Sequence, residues 1–212
     1  WSPELFKTGE VSVDGTVDKR DSIQTVLDWC KTNNREFMWS MRMNDTHDKD
    51  YEVKYLDSFK QAHPDWLVSS RETCAVDLQL GALWSALDYA QQGVRQRSYD
   101  LLREVIMNYD VDGIELDFSR HSVYFKQVVT QAEDADPENI ERMNNFMRSL
   151  RTLSEQVSAE KDKPILIAIH VADSMDFCKA IGLDVEQWME EDLVDVVSIR
   201  TYGAYQYMED GL

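Results

Sequence analysis

The clearest strand in this sequence is Val111-Asp-Gly-Ile-Glu-Leu-Asp-Phe118, which directly follows an amphipathic helix predicted over residues 94–109. A second apolar strand, residues 164–170, follows a helix predicted from Pro137 to about Lys161. Apolar residues recur at helical spacing in the helices and form short unbroken runs in the strands. Strands and helices that alternate in this way predict an α/β fold with a parallel sheet.

The same alternation extends over most of the chain. No Gly-x-Gly-x-x-Gly or Walker turn follows any strand, which removes the main support for a doubly wound nucleotide-binding sheet. A complete (β/α)₈ TIM barrel takes about 250 residues. We therefore expect residues 1–212 to form one partial TIM-barrel domain, an open arc of about five parallel strands that lacks one strand at the front and about two at the back. The other predicted elements are a helix from Asp21 to about residue 33, strands at 36–44, 82–89 and 193–202, and a short helix around 184–188.

The composition excludes several classes of protein. The chain has 22 Lys and Arg against 40 Asp and Glu, a formal net charge of −18. Such a charge repels nucleic acids and anionic membranes, and no apolar run of about 18 residues is present to insert into a bilayer. The cysteines Cys30, Cys74 and Cys178 lie far apart without metal-like spacing, so we interpret them as small buried or half-buried thiols.

Polar residues stand at the end of nearly every predicted strand. In a TIM barrel the active site is built at the carboxyl ends of the strands and in the loops after them, whereas a polar residue inside a strand is otherwise costly. We therefore predict that these polar side chains converge on one rim and bind substrate. They are Arg42, Asn44 and Asp45 at the first strand, Asp88 at the second, Glu115, Asp117, Arg120 and His121 at the third, His170 at the fourth, and Arg200 and Tyr202 at the fifth.

Glu115 and Asp117 are the candidate catalytic residues. Strand alternation places both on one face, and so apolar a strand is not expected to bury two carboxylates without a positive partner such as Arg42, Arg120 or Arg200. Paired carboxylates near arginines suit glycoside hydrolysis, where one group acts as acid and the other as nucleophile or base. The alternative is a structural ion network in the mouth of the barrel.

The loop after the first strand, Arg42-Met-Asn-Asp-Thr-His-Asp48, is the second candidate region. Its Asn44, Asp45, His47 and Asp48 could orient sugar hydroxyls or hold a divalent ion. The loop lacks the EF-hand glycine and glutamate and the usual spacing of zinc ligands, so we favour sugar contacts and expect no metal and no cofactor. Aromatic rings also stack on sugars, and Trp66 and Tyr202 are the best placed for such contacts.

Several segments resemble the bacterial glycoside-hydrolase-like proteins of the glycosyl hydrolase-like 10 group. The resemblance implies a TIM barrel, polysaccharide or oligosaccharide hydrolysis by a secreted or periplasmic protein, and a catalytic acid at Asp117, where related barrels place one on the fourth strand. Two alternatives remain open: a catalytically inactive carbohydrate-binding barrel, and a metal-dependent hydrolase or lyase on the same scaffold. The matching segments are residues 37–48, 63–67, 87–90 with 94–95, and 109–121.

Overall fold

The computed structural model places four parallel strands in one sheet, beside a small antiparallel hairpin near the start of the chain. The hairpin pairs β1 (Val11–Val13) with β2 (Thr16–Asp18) and was not predicted from the sequence. The sheet strands neighbour one another in the order in which they occur along the chain. They are β3 (Met38–Arg42), β4 (Gly113–Asp117), β5 (Leu166–Ala172) and β6 (Val196–Arg200). The structure describes residues 11–13, 16–18, 21–48, 56–70, 72 and 83–200.

Seven helices occur in the described part of the chain. One directly precedes β3, and the other six lie between consecutive strands of the parallel sheet. None of the described helices is both long and apolar enough to cross a membrane. A 3-10 turn, Pro64–Trp66, follows the second helix. The helices are α1 (Ser22–Thr32), α2 (Ser58–Ala62), α3 (Gln92–Asn108), α4 (Lys126–Gln131), α5 (Pro137–Lys161), α6 (Met175–Ala180) and α7 (Val185–Glu190).

Side-chain caps explain where the best predicted helices begin. The Asp21 carboxylate accepts hydrogen bonds from the backbone N–H groups of Ile23 and Gln24, which no residue of α1 itself can bond. Asp136 caps α5 in the same way through the N–H of Asn139, and Pro137 occupies the first helical position, where its missing N–H costs nothing. The bounds predicted for α5 are therefore confirmed at both ends.

The two faces of the sheet differ sharply in chemistry. On the apolar face, Ile114 and Leu116 of β4 and Ile167 and Ile169 of β5 are completely buried in the main hydrophobic core, together with side chains of α3 and α5. The opposite face, here called the polar face, carries the residues that alternate with these. In register across the strands, the polar face contains Ser40, Arg42, Glu115, Asp117, Ala168, His170, Ala172, Val196, Ser198 and Arg200.

Two features of the predicted architecture need correction. The sheet has four parallel strands among the described residues instead of five, because residues 83–89 form turns whose only strand-like pairing is an isolated antiparallel bridge between Leu67 and Leu87. The short helices α2, α4 and α6 were not predicted. Strands β3 and β6 lie at opposite edges of the sheet and do not pair with each other, which agrees with the predicted open arc. The result is an α/β fold with an open parallel sheet, compatible with part of a TIM barrel.

Candidate functional site

Glu115 and Asp117 lie half-buried on the polar face of a central strand, as their alternation predicts. Oε1 of Glu115 accepts a hydrogen bond of 2.7 Å from Ser40 Oγ. Oδ1 of Asp117 accepts hydrogen bonds of 3.0 Å from both the N–H and the hydroxyl of Ser119. The second oxygen of each carboxylate makes no hydrogen bond to any described residue. Each carboxylate is therefore held in place by one oxygen, while the other has no partner among the described residues.

The arginines do not pair with these two carboxylates. Arg42 Nη1 instead bonds Asp45 Oδ2 at 2.8 Å, and within the described residues neither Arg120 nor Arg200 forms an ion pair with Glu115 or Asp117. The predicted salt bridge is wrong because both carboxylates are only half-buried, so water and serine hydroxyls can solvate them. Arg120 is exposed and Arg200 is half-buried, while Tyr202 lies outside the described residues.

His170 lies beside Asp117 in the sheet, with the two Cα atoms in register. Its Nδ1 is 2.6 Å from Ser198 Oγ, and that hydroxyl donates its proton to the carbonyl of Ile169 at 3.1 Å. Since the hydroxyl proton is already used, Nδ1 of His170 must be the donor to Ser198. This network assigns the tautomer and leaves the Nε2 lone pair of the neutral ring free to accept a proton or a hydrogen bond.

Asn44 and Asp48 hold the loop after β3 in place. Asn44 is 2% exposed, its amide nitrogen donates to the carbonyls of Leu87 and Val123, and its amide oxygen accepts the N–H of Leu87. Asp48 accepts hydrogen bonds from Lys60 Nζ at 2.8 Å and from Ser85 Oγ at 2.7 Å. Their polar atoms are used within the protein, so the contacts assign both residues a structural role instead of the predicted substrate contacts.

Asp45 and His47, in the same loop, remain accessible and meet His121 from the loop after β4. Asp45 Oδ1 accepts the backbone N–H of His47 at 2.8 Å and lies 2.6 Å from Nδ1 of the same residue. The His47 and His121 rings meet edge to face with centroids 4.9 Å apart. The sequence did not predict this meeting, although Asp45 and His121 had been assigned to the rim and His47 to the loop after the first strand.

The two loops shift the pKa of Asp45 and His121 downward. Burial raises the pKa of the Asp45 carboxyl, but hydrogen bonds from His47 and Arg42 outweigh it and leave that pKa well below its usual range. Burial lowers the pKa of His121, partly offset by the Asp45 charge and by a hydrogen bond to the main chain of Asn44. The Asp45 carboxylate is therefore ionised over the ordinary pH range.

Asp88 and Trp66 lie apart from the two carboxylates. Asp88 is buried and accepts the backbone N–H groups of Ala90 and Lys126, so it fixes the turns before α3 and α4 and ends no strand. Trp66 stacks on His63 with ring centroids 3.8 Å apart and packs so closely on Gly93 that an added Cβ would lie 2.3 Å from the indole. It lines a separate pocket of about 300 Å³.

A cleft of about 500 Å³ opens beside the edge strand β3. It contains neither Glu115 nor Asp117, so the concave surface and the candidate catalytic carboxylates do not coincide in the described part of the chain. Both acidic and basic side chains line the cleft, and Arg97 on its wall forms an ion pair with Asp57 at 2.9 Å. The predicted site residues that line it are Arg42, Asn44, Asp45, His47 and Asp48.

Comparisons with known proteins give little beyond the geometry. No protein-family model matches the chain, and no curated protein matches it. Among solved structures, it is similar to a novel glycoside hydrolase family 18 N-acetylglucosaminidase from Paenibacillus barengoltzii, with a TM-score of 0.39 and 16% identity. The match covers 54% of this chain and 31% of that one. A likeness this weak carries no argument about the activity of this chain.

Proposed function

We propose that this chain is the catalytic part of a glycoside hydrolase that cleaves a polysaccharide or oligosaccharide at the carboxyl edge of the sheet. The observation that carries the proposal is the pair Glu115 and Asp117 on the polar face of a central strand, each with one oxygen held and one without a partner among the described residues. Because both side chains are only half-buried, their second oxygens are open to a bound substrate. These two are held in a way that suits a reacting group.

Asp117 is the catalytic carboxylate in this proposal. It is the last residue of β4, and therefore lies closest to the loops that would surround a bound sugar. Glu115, two residues earlier, lies roughly 7 Å away along the strand, within the range of about 5 to 9.5 Å that separates the two carboxyl groups of glycoside hydrolases. One of the two donates a proton to the leaving oxygen while the other acts as nucleophile or activates water.

The remaining residues of the polar face bind and orient the sugar. His170 offers its Nε2 lone pair next to Asp117 in the sheet. Arg42, Arg120 and Arg200 supply guanidinium groups, which bind carboxylate or sulfate substituents of a polymer in a bidentate manner. Because such polymers are met outside the cytoplasm, the proposal includes a secreted or periplasmic location and a carbohydrate as the partner.

The test measures hydrolysis and binding separately on one panel of polysaccharides and oligosaccharides. We expect release of new reducing ends from at least one member, and a loss of roughly 10²- to 10⁴-fold in turnover for Asp117→Asn with binding retained. Asp110→Asn is the matched control, because Asp110 is an exposed carboxylate before the opposite end of β4, paired with Lys31 and Lys163. Binding without hydrolysis by the unmodified protein would instead identify an inactive carbohydrate-binding barrel.

A further inference from the structure

We propose that Asp45, His47 and His121 form a binding site for Zn²⁺ at the carboxyl edge of β3 and β4. One carboxylate oxygen of Asp45 and one nitrogen of each imidazole lie within 4.8 Å of one another. The first two residues belong to the loop after β3 and the third to the loop after β4. Because these strands are parallel neighbours, their following loops meet at the same edge of the sheet.

His121 shows an unexplained nitrogen at this place. Its Nδ1 is buried and has no hydrogen-bond partner, one of three such side-chain atoms in the part of the chain that the structure describes. The other two, Glu104 Oε2 and Arg151 Nε, belong to no group of potential metal ligands there. Buried polar atoms are normally satisfied, so an orphaned imidazole nitrogen beside a second imidazole and a carboxylate indicates a missing partner that accepts lone pairs.

The surroundings hold the group in position before any ion binds. Lys60 Nζ donates to the main-chain carbonyl of Asp45, and the buried Asn44 fixes the start of the same loop. Arg42 binds Oδ2 of Asp45, which orients the carboxylate and leaves Oδ1 toward His47. Metal-binding carboxylates and histidines are commonly oriented by contacts of this kind from a second layer of residues.

The donor set selects the kind of ion. Two imidazoles and one carboxylate suit Zn²⁺ and similar transition metals, whereas Ca²⁺ and Mg²⁺ prefer oxygen ligands alone. Zinc ligands at about 2.0–2.1 Å stand roughly 3.3 Å apart at a tetrahedral centre, and the separations of up to 4.8 Å here require the side chains to adjust when the ion binds. Three protein ligands leave a fourth position for water or for an oxygen of the substrate.

The net charge of −18 further favours the uptake of a cation. The group differs from the one suggested by the sequence, since Asp48 is bound to Lys60 and Ser85 and His121 takes its place. The site goes beyond the proposed hydrolysis, which assigns its chemistry to Glu115 and Asp117.

The test measures Zn²⁺ bound per chain by titration calorimetry and by elemental analysis after dialysis, with Zn²⁺ alone as the probe. We expect one Zn²⁺ per chain, with affinity lowered more than about 100-fold in His47→Ala and in His121→Phe, since even changes behind the ligands cost about 10- to 100-fold. His63→Phe is the matched control, because His63 stacks on Trp66 outside the group and the phenyl ring keeps that stacking. Its affinity should equal that of the unmodified protein.

Folding is followed by circular dichroism, and His47→Ala keeps the test decisive because His47 is exposed and its removal leaves the core intact. Three results would overturn the site: no saturable zinc uptake, full affinity in both ligand variants, or an equal loss in His63→Phe. A thiolate-to-metal absorption band in the Co²⁺-loaded protein would also overturn it, because that band requires a cysteine ligand. The readout is metal binding, so its outcome is independent of the hydrolysis assay.

Discussion

The apolar and polar faces of the sheet are made from the same strands, yet they differ in burial and in the chemistry of their side chains. Leu116 is completely buried against the helices. Its neighbours Glu115 and Asp117 are half-buried, and only one oxygen of each carboxylate accepts hydrogen bonds from described residues. The difference in burial indicates that stability is concentrated on the apolar face, while the proposed function assigns the chemistry to the polar face. Substitutions one residue apart should therefore have opposite consequences.

Removing a side chain from the apolar face should give the largest loss of stability. Leu116→Ala leaves a cavity between β4 and the helices, so we expect the free energy of unfolding to fall by about 2–5 kcal/mol. Glu115→Ala on the other face loses one hydrogen bond from Ser40 and should cost less than about 1.5 kcal/mol. Urea denaturation of both variants measures the difference. Equal losses of unfolding free energy would show that stability is not concentrated on the apolar face.

Loss of Asn44 should have the next largest effect, because this residue joins the loop of Asp45 and His47 to the core. Asn44→Ala leaves the N–H of Leu87 and the carbonyl of Val123 without their partner, at a cost of about 1–3 kcal/mol. We also expect faster hydrogen exchange in residues 43–48 than in β4. Asn145→Ala, on the exposed side of α5, is the control and should change neither quantity. Unchanged exchange in Asn44→Ala would remove its anchoring role.

The smallest predicted effect is on the surface and depends on pH. Hydrogen bonds from Arg148 and Gln187 lower the pKa of Glu191 to about 2 from its ordinary 4.5. Because the folded pKa lies below the unfolded one, this contribution to stability is complete above about pH 4.5 and is lost as the pH falls toward 2. The melting temperature of Glu191→Gln should therefore lie slightly below that of the unmodified protein at pH 7 and equal it near pH 2. Glu155→Gln, an exposed change on α5, should show no such convergence.

The sequence predicted an element well where its ends carry local chemical signals. Helix α5 begins at a capping Asp136 followed by Pro137, and both of its bounds were predicted. The strand predicted at 82–89 was wrong because a short run of apolar residues can be buried without forming a strand. Trp84 and Ala86 are buried in turns that pair with no neighbouring strand. Helix α4 has six residues and no side-chain cap, so neither periodicity nor a capping residue marks it in the sequence.

Only the part of the candidate site that lies on strands could be predicted, because it follows from the alternation of side chains along a strand. The period of two placed Glu115 and Asp117 on one face. The same rule places Ser40, the partner of Glu115, and Ser198, the partner of His170, on that face of their own strands. The meeting of His121 with Asp45 and His47 could not be found in this way. It depends on how two loops fold over the edge of the sheet, and loops carry no such period.

In the proposed function, the polar face of the sheet performs the hydrolysis while the apolar face stabilises the fold. The most direct test measures turnover and melting temperature together, on any substrate that the protein cleaves, for Asp117→Asn and Leu116→Ala. We predict that Asp117→Asn loses roughly 10²- to 10⁴-fold in turnover at an unchanged melting temperature. Leu116→Ala should melt several degrees lower and keep its turnover wherever it is folded. Turnover of Asp117→Asn within about threefold of the unmodified protein would contradict the claim.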